Sequence, residues 1–469
     1  MEALTGWMAR AEELLYHPFA LPLLLVLVGG VVTIWTGFVQ VRRFPFAVRQ
    51  TLAGVFRPSG EGTGTISSFQ ALSTALAATV GNGNIAGVAT AILIGGPGAV
   101  FWMWITAIAG MATKYAEAVL GVHYRVTRET GEMAAGPMYY IVRGIPHAPT
   151  ARTLAVLFAV FGAATALFGT GNMVQSNAIA RTFVEAARST AGIDPPLWIP
   201  GIVVTVIVGL ILLGGIRRIA AVAERLVPSM IVVYIAAALL YIVLNANQIP
   251  TIFLQIVTGA FTPLAAVGGV AGASVAQVVA AGISRGVLSN EAGLGSGPIA
   301  HGIAKVRHPC EQGVVSIFEV FTDTIVVCSM TAFVIISSGL WTDPGYQGAS
   351  ADLTAAAFGT TIPYAQLLVA VCSFLFGLST LLGWAYYGEK CIEFLIGSRV
   401  ITPYRAIFTA FVLIGSVAEV RLAFAIGTLF NGFMAFPNLI GVLFLVGTVR
   451  RLTREFFYGK SDAGAQSPN

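Results

Sequence analysis

The sequence predicts an all-α polytopic membrane protein of about eleven transmembrane helices, ten in a 5+5 inverted repeat with one extra helix ahead of them. Three observations carry that expectation. Of 469 residues, 56% are hydrophobic and only 10% charged, and the mean hydropathy is +0.82; a soluble globular chain carries about 25% charged residues. The apolar residues fall in blocks near the length that crosses a bilayer, about 20 residues. Two well-separated blocks are interrupted at their middles by glycines and polar side chains.

Apolar runs, read against Gly, Pro and charge punctuation, place the spans at 18–40, 67–94, 97–124, 152–187, 197–215, 222–247, 268–303, 312–340, 362–396, 402–418 and 422–450. No gap between them has room for a separate soluble domain, so residues 1–469 read as one transmembrane transporter domain. The span at 18–40 is the extra helix, 67–247 the first repeat and 268–450 the second, with a polar, disordered tail at 460–469. The start of the chain lacks a basic n-region, so the first apolar block is expected to be a retained helix rather than a cleaved signal. Four cysteines form no C-x-x-C pair, which points away from a disulfide framework or a metal cluster.

Basic residues assign the sides, because cytoplasmic loops collect Lys and Arg. Arg42, Arg43, Arg49 and Arg57 follow the first span; Arg125, Arg128, Arg143 and Arg152 follow the third. Arg217, Arg218 and Arg225 follow the fifth, Lys305 and Arg307 the seventh, and Lys390, Arg399 and Arg405 the ninth. Arg450, Arg451, Arg454 and Lys460 close the chain, while the opposite loops 245–250 and 341–361 hold no Lys or Arg. An N-terminus outside and a C-terminus in the cytoplasm satisfy this pattern. The net charge of +5 reflects these loops, not a nucleic-acid surface.

The second span carries Thr79-Val-Gly-Asn-Gly-Asn84 near its middle, and the seventh carries Ser284-Arg-Gly-Val-Leu-Ser-Asn-Glu-Ala-Gly-Leu-Gly-Ser-Gly-Pro298. At bilayer depth an unsatisfied backbone group costs several kcal/mol, so irregular backbone is tolerated only around a protein-enclosed cavity. Five spans separate the two breaks in register, which reverses the seventh relative to the second. Interrupted helices in corresponding places of two inverted halves point to a secondary transporter with its site at the midplane. A break exposes amides that suit a carboxylate and carbonyls that suit a cation. Gly81 and Gly83 allow a ligand to touch the backbone, and Asn82 and Asn84 offer amide oxygens. The competing reading is a Gly83/Gly87 packing face, which leaves two intramembrane asparagines unexplained.

The run Gly81-Asn-Gly-Asn-Ile-Ala-Gly-Val-Ala-Thr90, with Gly95-Gly-Pro-Gly-Ala99 and Phe101-Trp-Met-Trp104 after it, resembles the alanine/glycine:cation symporter family. So do Arg285-Gly-Val-Leu-Ser-Asn-Glu-Ala-Gly-Leu-Gly-Ser296 and Gly383-Trp-Ala-Tyr-Tyr-Gly-Glu-Lys390, in the family's order and across essentially the whole chain. The resemblance implies a leucine-transporter-like fold and sodium-coupled uptake of a small neutral amino acid, alanine or glycine being typical. It implies that the Gly81–Gly83 backbone and Asn84 hold the amino acid, with Asn82 in the same turn. It makes Gln175 a substrate contact, against the alternative of an interhelical hydrogen bond, and Trp384 a wall of the pocket, against an interfacial tryptophan. Leu288 stands where the family commonly carries Phe, which leaves room for a larger substrate.

By the same analogy the coupling sodium ion takes the hydroxyls of Ser379 and Thr380 and the carbonyls of Ala77, Val80 and Phe376. Against this, membrane hydroxyls often bond back to their own helix. A second cation site near Thr79 and Asn84 is also expected. Intramembrane charges are functional suspects by default: a protonatable Glu291 would couple transport to protons, or it caps its own broken helix or pairs with Arg285. Glu319 and Asp323 share one face at i, i+4, and Lys114 and Glu117 at i, i+3 read as a structural pair. Proton-coupled transport, or symport of a larger neutral amino acid, are the alternatives on the same fold. An enzyme is disfavoured because the sequence holds no H-E-x-x-H or paired-Asp motif. A channel would want a repeated pore motif, and a sensor a signalling domain. The partners expected are therefore the amino acid, sodium and the lipid bilayer of the cell membrane, without nucleic acid.

Overall fold

The computed structural model describes residues 10–11, 14–17, 20–56, 62–128, 131–263, 274–346, 350–418 and 420–459. The expected tail at 460–469 and the start of the seventh span at 268–273 lie outside these residues.

A helix occupies each interval in which the sequence places a span. They are α1 (Leu21–Trp35), α2 (Ser68–Thr79), α3 (Ala86–Gly95), α4 (Gly98–His123), α5 (Ala148–Phe168), α6 (Met173–Ala191), α7 (Trp198–Leu212), α8 (Gly215–Leu244), α9 (Val275–Asn290), α10 (Gly297–His301), α11 (Pro309–Val320), α12 (Ser329–Ser338), α13 (Ala365–Ile396), α14 (Ile401–Val417) and α15 (Val420–Tyr458). Among the described residues, six helical stretches are long and apolar enough to cross a membrane. The pair α2–α3, bent by 55° at its break, makes a seventh.

Local chemistry sets the ends of the interrupted spans. Ser67 accepts from the Gln70 amide while Gln70 caps the Ser67 amide, a reciprocal box that starts α2. Ser274 and Gln277 do the same for α9. The basic residues expected in the loop after the fifth span, Arg217, Arg218 and Arg225, lie instead in the first turns of α8, because that helix begins at Gly215. The fourth span is not continuous: Gly169-Thr-Gly-Asn172 separates α5 from α6. Gly171 is needed there, since a Cβ would lie 2.7 Å from the Trp384 ring.

The centre of the molecule is a bundle in which α4 runs along α9 and α11, α2 along α8 and α13, and α5 and α6 along α13. Small residues set these distances. A Cβ on Gly282 of α9 would lie 2.3 Å from the Ala99 carbonyl oxygen and 2.6 Å from Trp102 Cβ. Backbone cannot yield as a flexible side chain does, and overpacking costs about 1–3 kcal/mol or more. Gly282→Ala is therefore expected to lower the thermal midpoint of the detergent-solubilised protein by several degrees; an unchanged midpoint would show that α4 and α9 can separate freely.

The extended stretch ahead of α2 lies beside the one after α10. Thr65 N–H donates to the Ile303 carbonyl at 2.8 Å and Lys305 N–H to that of Ile66 at 2.8 Å. The Arg125 guanidinium ties the two together, donating to the carbonyls of Thr63 and Ala304 at 2.8 and 2.7 Å.

Candidate functional site

Residues 80–85 connect the two halves of the second span without α-helical winding; Asn82–Asn84 make one 3₁₀ turn. The last carbonyls of a helix have no intrahelical partner, and α2 ends at mid-bundle. The Gly81 amide, which would continue the ladder to Ala77, is taken by Asn84 Oδ1 at 2.9 Å. Ser379 and Thr380 of α13 stand against this end. Ser379 Oγ is 3.4 Å from the Val80 carbonyl oxygen and 2.8 Å from that of Phe376, and Thr380 Oγ1 is 3.0 Å from Phe376 O. Thr380 Oγ1 also lies only 2.4 Å from where a Gly81 Cβ would be, so glycine is what allows this approach. Both hydroxyls do bond back to their own helix, as the bland reading requires. Ser379 also faces the Val80 carbonyl and Thr380 stands against Gly81, which a bond to the own helix does not require. Ser379, Thr380, Val80, Ala77 and Phe376 are all buried, and neutral oxygens gathered at a helix C-terminus are a suitable donor set for a hard monovalent cation.

On the other side of the break, Gln175 Oε1 accepts from the Asn82 amide at 3.3 Å and from Asn82 Nδ2 at 3.1 Å, while its own Nε2 donates to the Thr170 carbonyl at 3.0 Å. Gln175 is thus held by the interruption of the fourth span and reads the interruption of the second. Ser373 Oγ completes the group by donating to Asn82 Oδ1 at 2.7 Å.

Asn84 turns the other way, to the seventh and eighth spans. Its Nδ2 donates to Asp323 Oδ1 at 2.7 Å and lies 3.1 Å from Ser289 Oγ. Ser289 in turn donates to Asp323 Oδ2 at 2.8 Å. Residues 321–328, between α11 and α12, are wound as a π-helix, and the Asp323 carbonyl also meets Asn84 Nδ2 at 3.3 Å. Asp323 therefore does not act with Glu319, as their i, i+4 spacing suggests, because the wide turn between them sends each to a different cluster. Thr79, expected beside Asn84 at a second cation site, bonds back to the Ala75 carbonyl at 3.3 Å.

Gly83 and Gly87 overturn the packing reading of this segment: a Cβ at either would have nothing within 4 Å. The glycine face opens onto space beside the break. Leu288, half-buried in α9 next to Ser289, lies on the other interrupted span.

Trp384 joins a separate group. Its Nε1 donates to Glu291 Oε1 at 2.9 Å, and Ser296 Oγ donates to Glu291 Oε2 at 2.5 Å. Glu291 sits in the left-handed region at φ 55° as the C-cap of α9, so its side chain ties the seventh-span break to α13. The fully buried Lys114 pairs with Glu319 at 3.1 Å rather than with Glu117, whose Oε1 accepts from Asn438 Nδ2 at 2.5 Å. Ser289 and Ser373 are not singled out by the sequence, and Asp323 is singled out there only as a neighbour of Glu319. The polar character of 284–298 was the available signal for Ser289; nothing local marked Asp323 or Ser373 as partners of the second-span asparagines.

The profile of the sodium:alanine symporter family matches residues 1–468. A sodium/alanine symporter, AgcS, of Methanococcus maripaludis is 45% identical over 446 residues, covering 95% of each chain. A probable sodium/glutamine symporter, GlnT, of Bacillus subtilis is 37% identical, covering 95% of this chain and 89% of its own. Among solved structures, MhsT in complex with L-phenylalanine superposes with a TM-score of 0.51 at 14% identity, over 83% of this chain and 99% of that one, a likeness of fold. With helical spans, interrupted second and seventh spans and a leucine-transporter-like fold, this multi-pass membrane transporter, not an enzyme, belongs to the sodium:alanine symporter family.

Proposed function

We propose that the protein carries a small neutral amino acid into the cell with sodium by alternating access, lying in the cell membrane with its N-terminus outside and its C-terminus in the cytoplasm. The observation that carries this reading is the meeting of the second-span break with Ser379 and Thr380 on one side and Gln175 on the other. Sodium takes the carbonyls of Ala77, Val80 and Phe376 with the two hydroxyls. The amino acid lies along Gly81–Asn84, in the open space beside Gly83, with Gln175 and Leu288 at its edges. Binding of sodium at the end of α2 fixes the backbone that the amino acid then touches, which makes the two bind together. Trp384 serves the pocket from behind, by holding the seventh-span break through Glu291.

Uptake of labelled alanine, glycine and glutamine into proteoliposomes, under an inward sodium gradient and then an inward proton gradient without sodium, tests this reading. Sodium-driven uptake of alanine or glycine is expected. Uptake driven by protons alone would move the coupling to a carboxylate and end the sodium assignment.

Two substitutions probe the pocket without disturbing the bundle. Gly83→Ala puts a methyl group into open space, so folding and thermal midpoint are expected to hold while amino-acid uptake falls at least tenfold. Full uptake in that variant would place the amino acid elsewhere. A larger substrate is the second reading, favoured by the leucine at 288, where the family commonly carries Phe, and by the similarity to the probable sodium/glutamine symporter. Leu288→Phe is expected to shift competition toward glycine and alanine and against glutamine by severalfold or more; a change of one methylene in apolar fit is already worth about 1–3 kcal/mol.

A further inference from the structure

The second and seventh spans both end their first half-helix inside the bundle, and both ends present carbonyls that favour positive charge. At the end of α2 that charge is the proposed sodium. The end of α9 is already served. Lys114 of α4 extends to it and donates to the carbonyl of Asn290, the last residue of α9, at 3.1 Å, with its charge balanced by Glu319 of α11 at 3.1 Å. Its ammonium and the Glu319 carboxylate are both inaccessible to solvent. The fit is built from both sides of the break. A Cβ on Gly297, the first residue of α10, would lie 2.7 Å from Lys114 Cε and 2.9 Å from Nζ, so glycine makes room for the lysine. Glu319 is held by His301 at the end of α10, 2.6 Å from its Oε2. His301 Nδ1 lies 2.7 Å from Gln312 Nε2, and Gln312 Oε1 accepts from Ser68 in the first turn of α2 at 2.6 Å.

We propose that Lys114 is a tethered cation, a positioning residue that occupies the second break as sodium occupies the first, so that only one of the two breaks depends on the ion gradient. The break of the seventh span is thereby kept in a fixed shape through the transport cycle, and its Ser289–Asn290 end always meets Asn84 and Asp323 in the same register. The bland alternative is that Lys114 merely neutralises Glu319. The two differ in what happens when both charges are removed together: an ion pair replaced by neutral groups of similar volume is often harmless to stability, whereas the Asn290 carbonyl still loses its cation.

The experiment rests on the proposed sodium-driven amino-acid uptake for its signal, and absence of wild-type uptake would report the failure of that reading separately. Lys114→Met/Glu319→Gln, with volume kept and both members of the pair made neutral, is reconstituted beside wild type after a check of monodispersity in detergent. Sodium-driven uptake is expected to fall at least tenfold. Lys114→Ala opens a space the length of the lost side chain; its uptake is expected to be low and to be raised at least threefold by millimolar ethylammonium, with no response to the bulkier tetramethylammonium at equal concentration. Uptake by the double variant within threefold of wild type would overturn the proposal, and so would an alanine variant that ethylammonium does not restore. Should the alanine variant fail to fold, the double variant alone decides.

Discussion

Replacing Ser379 and Thr380 together by alanine is expected to abolish sodium stimulation of uptake while leaving the protein folded. The two hydroxyls lie at the end of α2, within reach of the Val80 and Phe376 carbonyls, and their loss removes two of the proposed sodium ligands without adding volume. An interaction with a charged group is worth about 1.5–3 kcal/mol. Losing two amounts to a hundredfold or greater drop in apparent sodium affinity, at about 1.4 kcal/mol per tenfold. The measurement is initial uptake against sodium concentration in proteoliposomes, with the thermal midpoint of the same preparation as the control for folding. A sodium dependence unchanged in the double variant would show that these hydroxyls only bond back to their own helix.

Asn84→Ala is expected to have an effect of similar size for a different reason. Asn84 holds the break together from both ends: its oxygen takes the Gly81 amide and its nitrogen serves the Asp323 carboxylate. Removing it leaves a buried amide and a buried carboxylate each short of a partner, at about 1–3 kcal/mol apiece and more for the charged one. Uptake is expected to fall by at least a hundredfold, with kcat affected as well as KM, because the backbone that both ligands share loses its shape. Asn84→Asp keeps the acceptor for Gly81 but sets a second carboxylate against Asp323, so it is expected to fail to rescue. Uptake within threefold of wild type in Asn84→Ala would remove this residue from the site.

The contrast between these two sites explains how far the sequence could be read. Glycines and asparagines at bilayer depth have few physical excuses, so both breaks were legible, as was the span that holds each. Ser379 and Thr380 were legible because a known arrangement brings such a pair to the end of a broken helix. Pairings between distant spans were not. Helical spacing connects Lys114 to Glu117 and Glu319 to Asp323, yet the fold pairs Lys114 with Glu319 across two helices, because α4 and α11 run side by side. The Gly83 and Gly87 spacing fits a packing face equally well; only the empty space in front of them separates the readings. The interruption at Gly169–Asn172 was visible as Gly-Thr-Gly but was hidden by the apolar run leading up to it. Trp384 gives its indole N–H to Glu291 at the seventh-span break, and a tryptophan's hydrogen-bond partner is a property of the neighbouring helix, not of its own.

The wide turn at 321–328 has a consequence for how this chain tolerates change in length. A helix of ordinary pitch advances about 100° per residue, so an extra residue accommodated within a single turn lets everything after it keep its angular phase. Downstream, Ser329 accepts from Trp104 Nε1 at 2.7 Å and Thr331 meets Tyr234 at 2.6 Å; upstream, Glu319 holds Lys114. Deleting one residue between 321 and 328 and rewinding the segment to ordinary pitch would therefore leave α12 close to its present phase relative to α11. The upstream ties and the downstream ties could then be kept together. A deletion in this stretch is thus expected to be harmful according to which side chain it removes or turns away, most of all where Asp323 loses Asn84 and Ser289, rather than through any swing of α12.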